Sequence, residues 1–249
     1  LGRMLIQEAI NLNIHVAVLD PAADAPCADV ANTFVQGSFN DYNTVLEFGK
    51  KADIITIEIE HVNLDALEEL AGALRETDQT EAALSVQLVA KDIYKDAGQT
   101  DDWLRTSYYV ALHSYSLGYT EEALATISEA MPEVQLNEGW FWGGFLKKVH
   151  SSILKDADEA YSEPLLEAKA LFELDGSTGM VASTSRDLWE CFYQAGKYTL
   201  ALEQCKDAIE NFQSEEDVKN VAISKMRLGE TFLELGDVTQ ARSALAEAL

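Results

Sequence analysis

Apolar positions change rhythm once along this chain. Over residues 1–70 short apolar runs alternate with stretches of helical spacing. Leu1, Leu5, Ala9 and Leu12, with Met4, Ile6 and Ile10 beside them, draw one helical face. His15-Val16-Ala17-Val18-Leu19-Asp20 reads as a buried parallel strand that ends in an acid and is closed by Pro21. Asn32 to Val35 predicts a short second strand. Asp41 caps a helix that runs to Lys51 with Tyr42, Val45, Leu46 and Phe48 inward, and Ile54-Ile55-Thr56-Ile57 follows as a strand. Asn63 caps a last helix through Leu70. Helix, strand, strand, helix, strand, helix is a doubly wound α/β pattern that lacks its opening strand.

From Thr77 onward the spacing is helical throughout and repeats. Gly196-Lys197-Tyr198-Thr199-Leu200-Ala201-Leu202 and Gly236-Asp237-Val238-Thr239-Gln240-Ala241-Arg242 superimpose at a spacing of 40, and Gly118-Tyr119-Thr120-Glu121-Glu122-Ala123-Leu124 fits two units earlier. Each phased alanine is followed by a second two turns on: Ala83 and Ala90, Ala123 and Ala130, Ala201 and Ala208, Ala241 and Ala248. Small residues at that spacing let one helix lie close on its neighbour. The unit between Trp140 and Asp175 lacks these marks, although Ser162 and Pro164 can start its second helix. Gly139-Trp140-Phe141-Trp142-Gly143-Gly144-Phe145 inside it reads as core, as the floor of a ligand pocket or as a contact patch.

Composition sharpens the seam near Gly72. The first 70 residues hold 13 Val and Ile, the last 177 only 14, which separates a β-prone segment, residues 1–72, from an all-helical one, residues 73–249. The net charge of −25 divides into −9 before Gly72 and −16 after it, and the 18 Lys and Arg are scattered. That argues against nucleic acid and anionic membranes as partners, since both are gripped by clustered bases. Cys27, Cys191 and Cys205 show no C-x-x-C spacing, which predicts free thiols and a cytoplasmic location. His15 and His61 stand alone, so no metal site is expected.

Leu1-Gly2-Arg3-Met4, Val18-Leu19-Asp20-Pro21, Pro26-Cys27-Ala28-Asp29-Val30-Ala31 and Ile55-Thr56-Ile57-Glu58-Ile59-Glu60-His61-Val62 fall in an order that resembles the amino-terminal domain of 5-(carboxyamino)imidazole ribonucleotide synthetases, ATP-grasp enzymes of purine biosynthesis. The resemblance implies a Rossmann-like parallel sheet, here incomplete, with Gly2, Arg3, Asp20, Glu58 and Glu60 at the substrate-binding positions. It covers about 70 residues. The family's Gly-Gly-Gly-Gln turn, whose amides would hold a phosphate, has no counterpart here, and neither does its ATP-grasp domain after Gly72. No catalytic residue is therefore expected, and ATP and Mg would be cofactors only with that domain present.

The helical part resembles the tetratricopeptide (TPR) repeat, on Leu228-Gly229, Phe232, Gly236, Ala241 and Ala248, and on Leu188-Trp189, Phe192, Gly196, Tyr198, Ala201 and Ala208. Periods near 40 imply longer helices or loops than the usual repeat. The resemblance implies a solenoid whose concave face is lined by the first helix of each pair. That face would carry Arg105, Tyr108, Leu112 and Tyr115, then Arg186, Glu190 and Tyr193, then Met226, Glu230 and Leu233. Aromatic and acidic together, it suits an apolar or basic segment of a protein partner. Three readings remain open at this point: a non-catalytic protein-binding module, a fragment of the carboxylating enzyme, and a chimera of two unrelated coding pieces.

Overall fold

The computed structural model describes residues 2–56 and 62–248. It opens with helix α1 (Gly2–Asn11), strands β1 (Ala17–Asp20) and β2 (Thr33–Gln36), and helix α2 (Tyr42–Gly49). The strands pair in parallel, Ala17 opposite Thr33 and Asp20 opposite Gln36. Asp41 caps α2 through a bond from the Thr44 amide at 2.9 Å, and Asn63 caps α3 (Leu64–Glu76) through the Ala66 amide at 2.8 Å. These satisfy amides that a helix N-terminus otherwise leaves open.

Two sequence expectations are corrected here. Helix α3 does not stop at Leu70 but continues to Glu76, because Ala71 and Leu74 extend the buried face begun by Leu67 and Leu70. Gly72 thus lies inside a helix. Residues 54–56 form no strand: Ile54 is exposed, and the Ile55 amide bonds the Ser85 hydroxyl at 3.2 Å in place of a neighbouring strand. Ile57 lies outside the described residues, as do Glu58, Glu60 and His61.

Helices then follow, all but α8 and α12 of 17 residues: α4 (Thr80–Asp96), α5 (Thr100–Ser116), α6 (Thr120–Leu136), α7 (Trp140–Asp156), α8 (Ser162–Asp175), α9 (Thr178–Gln194), α10 (Tyr198–Ser214), α11 (Val218–Glu234) and α12 (Val238–Ala246). The 17-residue helices, about 25 Å long, joined by three-residue turns, account for the period of 40. Each turn holds one left-handed residue. Gly98, Gly118, Gly176, Gly196 and Gly236 serve at five turns, and Asp78, Glu138, Asp158 and Glu216 at four. The next amide or the one following it bonds back into the helix, as from Lys197 to the Phe192 carbonyl at 2.8 Å and from Asp237 to Phe232 at 2.9 Å. This is the Schellman closure that left-handed residues permit. Acidic residues at four of the nine turns hid that part of the series from a search for glycine.

The chain forms two compact units, Leu1–Ala123 and Leu124–Leu249, divided within α6. In the first, one core joins Val45 and Leu46 of α2, Ala66, Leu67 and Leu70 of α3, and Ala82, Ala83 and Val86 of α4. The α/β segment and the first repeat helix are therefore packed as one body. In the second, Phe172 is the centre of a cluster with Ala168 and Val181. Phe141 and Phe145 meet its ring edge-on at 6.2 and 5.3 Å, a favoured aromatic geometry. A side chain at Gly144 would come within 2.6 Å of that ring. Within the Gly139–Phe145 run, Gly143 and Gly144 are buried and Phe141 and Phe145 pack against this core, while Trp140 and Trp142 are only partly buried.

Candidate partner-binding face

The residues expected at the groove fall in both units. In the first, Arg105 on α5 is committed to structure: its guanidinium bonds Glu68 of α3 and Asp102 of its own helix, the latter at 2.8 Å. The Tyr94 hydroxyl of α4 donates to the same Glu68. This knot ties three helices, and burial together with Glu68 pushes the Tyr94 phenol well above its usual range. Tyr108 lies half-buried with its ring 4.9 Å from that of Tyr109, and Tyr115 is half-buried on the same helix.

Deeper on α5, His113 is 3% exposed, and neither ring nitrogen has a hydrogen-bond partner among the described residues. Burial, with a smaller contribution from the Arg75 charge, lowers its pKa below the usual value. The folded state therefore favours neutral His113, while the unfolded chain takes up a proton near pH ~6.5. Its contribution to stability is complete above that pH and is lost as pH falls toward the folded pKa. The melting temperature is expected to drop as pH falls below about 6.5, and His113→Gln should flatten that dependence. An unchanged slope in the variant would remove His113 from the account.

In the second unit the first helices of successive pairs lie side by side. Lys148 and Lys155 of α7 pair with Asp187 and Glu190 of α9, both at 2.8 Å. Arg186 of α9 donates to Asn220 of α11 at 2.9 Å. Trp189 donates from its ring nitrogen to the Thr231 hydroxyl at 2.9 Å, and the Arg227 guanidinium stands 4.4 Å over its ring. The Tyr193 ring lies tilted 5.0 Å from that of Trp189 and edge-on 5.4 Å from that of Tyr198, and its hydroxyl donates to Glu234 at 3.3 Å. Burial, then Glu234, raises the Tyr193 pKa.

The outer residues form stripes. Arg186, Glu190 and Tyr193 sit at i, i+4 and i+7 on α9, and Met226, Glu230 and Leu233 repeat the spacing on α11. Met226 and Leu233 are 50% and 51% exposed. The sequence reading missed the corresponding stripe on α7, Lys148, Ser152 and Lys155, which lies 38 residues ahead of the α9 stripe, not 40, because α8 is short. Those lysines change the electrostatics. Glu190 is held charged chiefly by the Lys155 hydrogen bond, which lowers its pKa, so it is already matched. Further along, Glu230 on α11 is exposed and makes no ion pair among the described residues.

The residues picked out in the first seventy are only partly gathered. Gly2 and Arg3 start α1, and Arg3 is exposed. Asp20 ends β1, where its carboxylate accepts from the Ala22 amide at 2.8 Å and closes the turn. Among the described residues no three His, Cys, Asp or Glu side chains cluster as metal ligands, and no helix is long and apolar enough to cross a membrane. The three cysteines are free, and burial pushes the Cys205 thiol up to about 12.

Comparison with known proteins finds likenesses of two kinds. Residues 1–87 match the ribonucleotide synthetase preATP-grasp domain. The chain is 36% identical over 100 residues to the N5-carboxyaminoimidazole ribonucleotide synthase of Staphylococcus aureus, which covers 39% of this chain and 27% of that protein. It is 43% identical over 70 residues to the chloroplastic phosphoribosylaminoimidazole carboxylase of Vigna aconitifolia, covering 28% of this chain and 13% of that one. The chain thus spans about a quarter or less of the curated relatives it matches. Among solved structures, BtubC from P. vanneervenii superimposes with a TM-score of 0.63 at 18% identity, over 75% of this chain and 78% of that one. A Podosopora anserina protein described as a kinesin light chain with nearly identical TPR-like repeats gives 0.58 at 13%, over 77% and 95%. The chain accordingly joins a segment homologous to the preATP-grasp part of purine-pathway carboxylating enzymes to helices with the fold of TPR-like repeats.

Proposed function

We propose that the helical part is a non-catalytic protein-binding module, and that its second unit holds an extended segment of a partner along α9 and α11. The observation that carries this is the α11 stripe: Met226 and Leu233, both half exposed, flank Glu230 beside the half-buried Tyr193. Apolar side chains and an aromatic supply contact area, and the acids at Glu230 and Glu234 select a basic segment and speed its encounter. Free thiols and scattered bases fit a cytoplasmic protein partner better than nucleic acid or a membrane.

The test compares two substitutions. Tyr193→Ala should weaken capture of apolar-basic peptides by about 1–3 kcal/mol with a small change in melting temperature. Ala201→Leu, at a fully buried site, should cost about 1–3 kcal/mol of stability whether or not anything binds. Peptide titration and thermal melting of the same samples separate the effects. Should Tyr193→Ala melt as badly as Ala201→Leu, that tyrosine is core and the face is misplaced.

The match over residues 1–87 favours a second reading, in which the chain is a fragment of the carboxylating enzyme. Phosphate release dependent on aminoimidazole ribonucleotide, ATP and bicarbonate should stay at the no-enzyme level. Turnover above it would replace the binding-module reading.

A further inference from the structure

We infer that a groove in the second unit, between α6 and α7, binds a tryptophan side chain of another polypeptide, flanked there by basic residues. The groove holds about 650 Å³, room for the largest of side chains. Leu124, Ile127, Met131 and Pro132 of α6 form one wall, and Lys147 and His150 of α7 border the other. None of these residues belongs to the face on α9 and α11.

Two features select the occupant, and the first is a backbone acceptor. Pro132 stands inside α6 and has no amide hydrogen, so the Ser128 carbonyl lacks the donor that the residue four places on supplies elsewhere in the helix. Ser128 and Pro132 share one helix face and both border the groove, so the acceptor opens toward it. An aliphatic side chain or a phenylalanine has nothing to donate. An indole brings a flat apolar surface and one N–H, and Met131 offers it a polarizable sulfur of the kind that packs well on aromatic rings. The second feature is charge. Lys147 is matched by Glu167 of α8, and burial, then the Lys147 charge, lowers the His150 pKa and keeps the ring neutral at neutral pH. Helix α6 carries Glu121, Glu122, Glu129 and Glu133 and no base. Lys or Arg beside the tryptophan therefore meets attraction.

The chain supplies its own control. Two repeats later Met131, Pro132 and Lys147 recur as Ile209, Glu210 and Lys225 in a groove along α10 and α11, where Lys225 again pairs with an acid, Glu247 at 3.1 Å. Glu210 has an amide, so this second groove holds no spare carbonyl.

The probe is acetyl-Arg-Trp-Arg-amide, compared with the same peptide carrying 1-methyltryptophan, with acetyl-Gly-Trp-Gly-amide and with free indole. Binding to the full chain is read from the methyl NMR shifts of Ile127 and Met131, against Ile209 in the second groove. The first peptide should move Ile127 and Met131 and leave Ile209 in place, and methylating the indole nitrogen should weaken it about three- to tenfold. Pro132→Ala restores the missing amide. It should raise the melting temperature and yet weaken the first peptide by the same factor, with the methylated peptide unaffected; a purely structural proline would not give those opposite signs. Affinity that ignores indole methylation or Pro132→Ala, binding as tight with glycine flanks or with indole alone, equal shifts at Ile209, or no shift at all each overturns the inference.

Discussion

Phe172→Ala is expected to cost about 3–5 kcal/mol of stability, since a fully buried ring is lost from a close-packed site. The reason lies in the glycines opposite. Gly144 brings α7 so close that a side chain there would meet the Phe172 ring at 2.6 Å, and Phe141 and Phe145 close the sides. Little else can collapse into the space. Gly144→Ala alone should cost about 1–3 kcal/mol by overpacking, and the two together should cost less than their sum, because the new methyl enters the vacated volume. Urea denaturation of the four proteins tests this, with the slope unchanged if the unfolded state is the same. Strict additivity would show that the two residues do not share the space.

Trp189→Ala should be about as damaging, ~3–5 kcal/mol, but with a consequence for the face. Trp189 is 7% exposed and joins α9 to α11 through Thr231 and the Arg227 guanidinium, with the tilted Tyr193 ring beside it. Trp189→Phe keeps an aromatic surface under Arg227 and gives up the hydrogen bond, so it should lose nearer 1 kcal/mol beyond its packing change. If the binding face depends on the spacing of α9 and α11, Trp189→Ala should also weaken peptide binding at temperatures where the protein is still folded. Melting curves and peptide titrations on both variants give the two readings separately. Intact affinity in a destabilised Trp189→Ala protein would show that the face tolerates loss of this joint.

Much of the fold was legible because its signals are local. The caps at Asp41 and Asn63, the strand ending at Asp20, and the glycines at 118, 196 and 236 each act within a few residues of themselves. The phased alanines at 83, 123, 201 and 241 are all fully buried, or nearly so, because helices stacked at a fixed period need small residues at the same height. The site was less legible. Glu190 reads as a free acid in the sequence, and only the approach of Lys155 from α7 reveals it as matched. Arg105 reads as groove and is a tie between three helices.

The two kinds of chain, the helical period and the faces that must be buried are set along the chain, since periodicity and capping depend on near neighbours along the backbone. Where these parts meet depends on packing between distant segments. Residues 77 onward do not begin a separate body, because Ala82, Ala83 and Val86 complete the core started by Val45 and Leu67. The compact units divide in α6, where no change in composition marks the boundary. Burial is shared between residues far apart in sequence, so the limits of a core and the partners of a charge emerge only when distant helices are brought into contact.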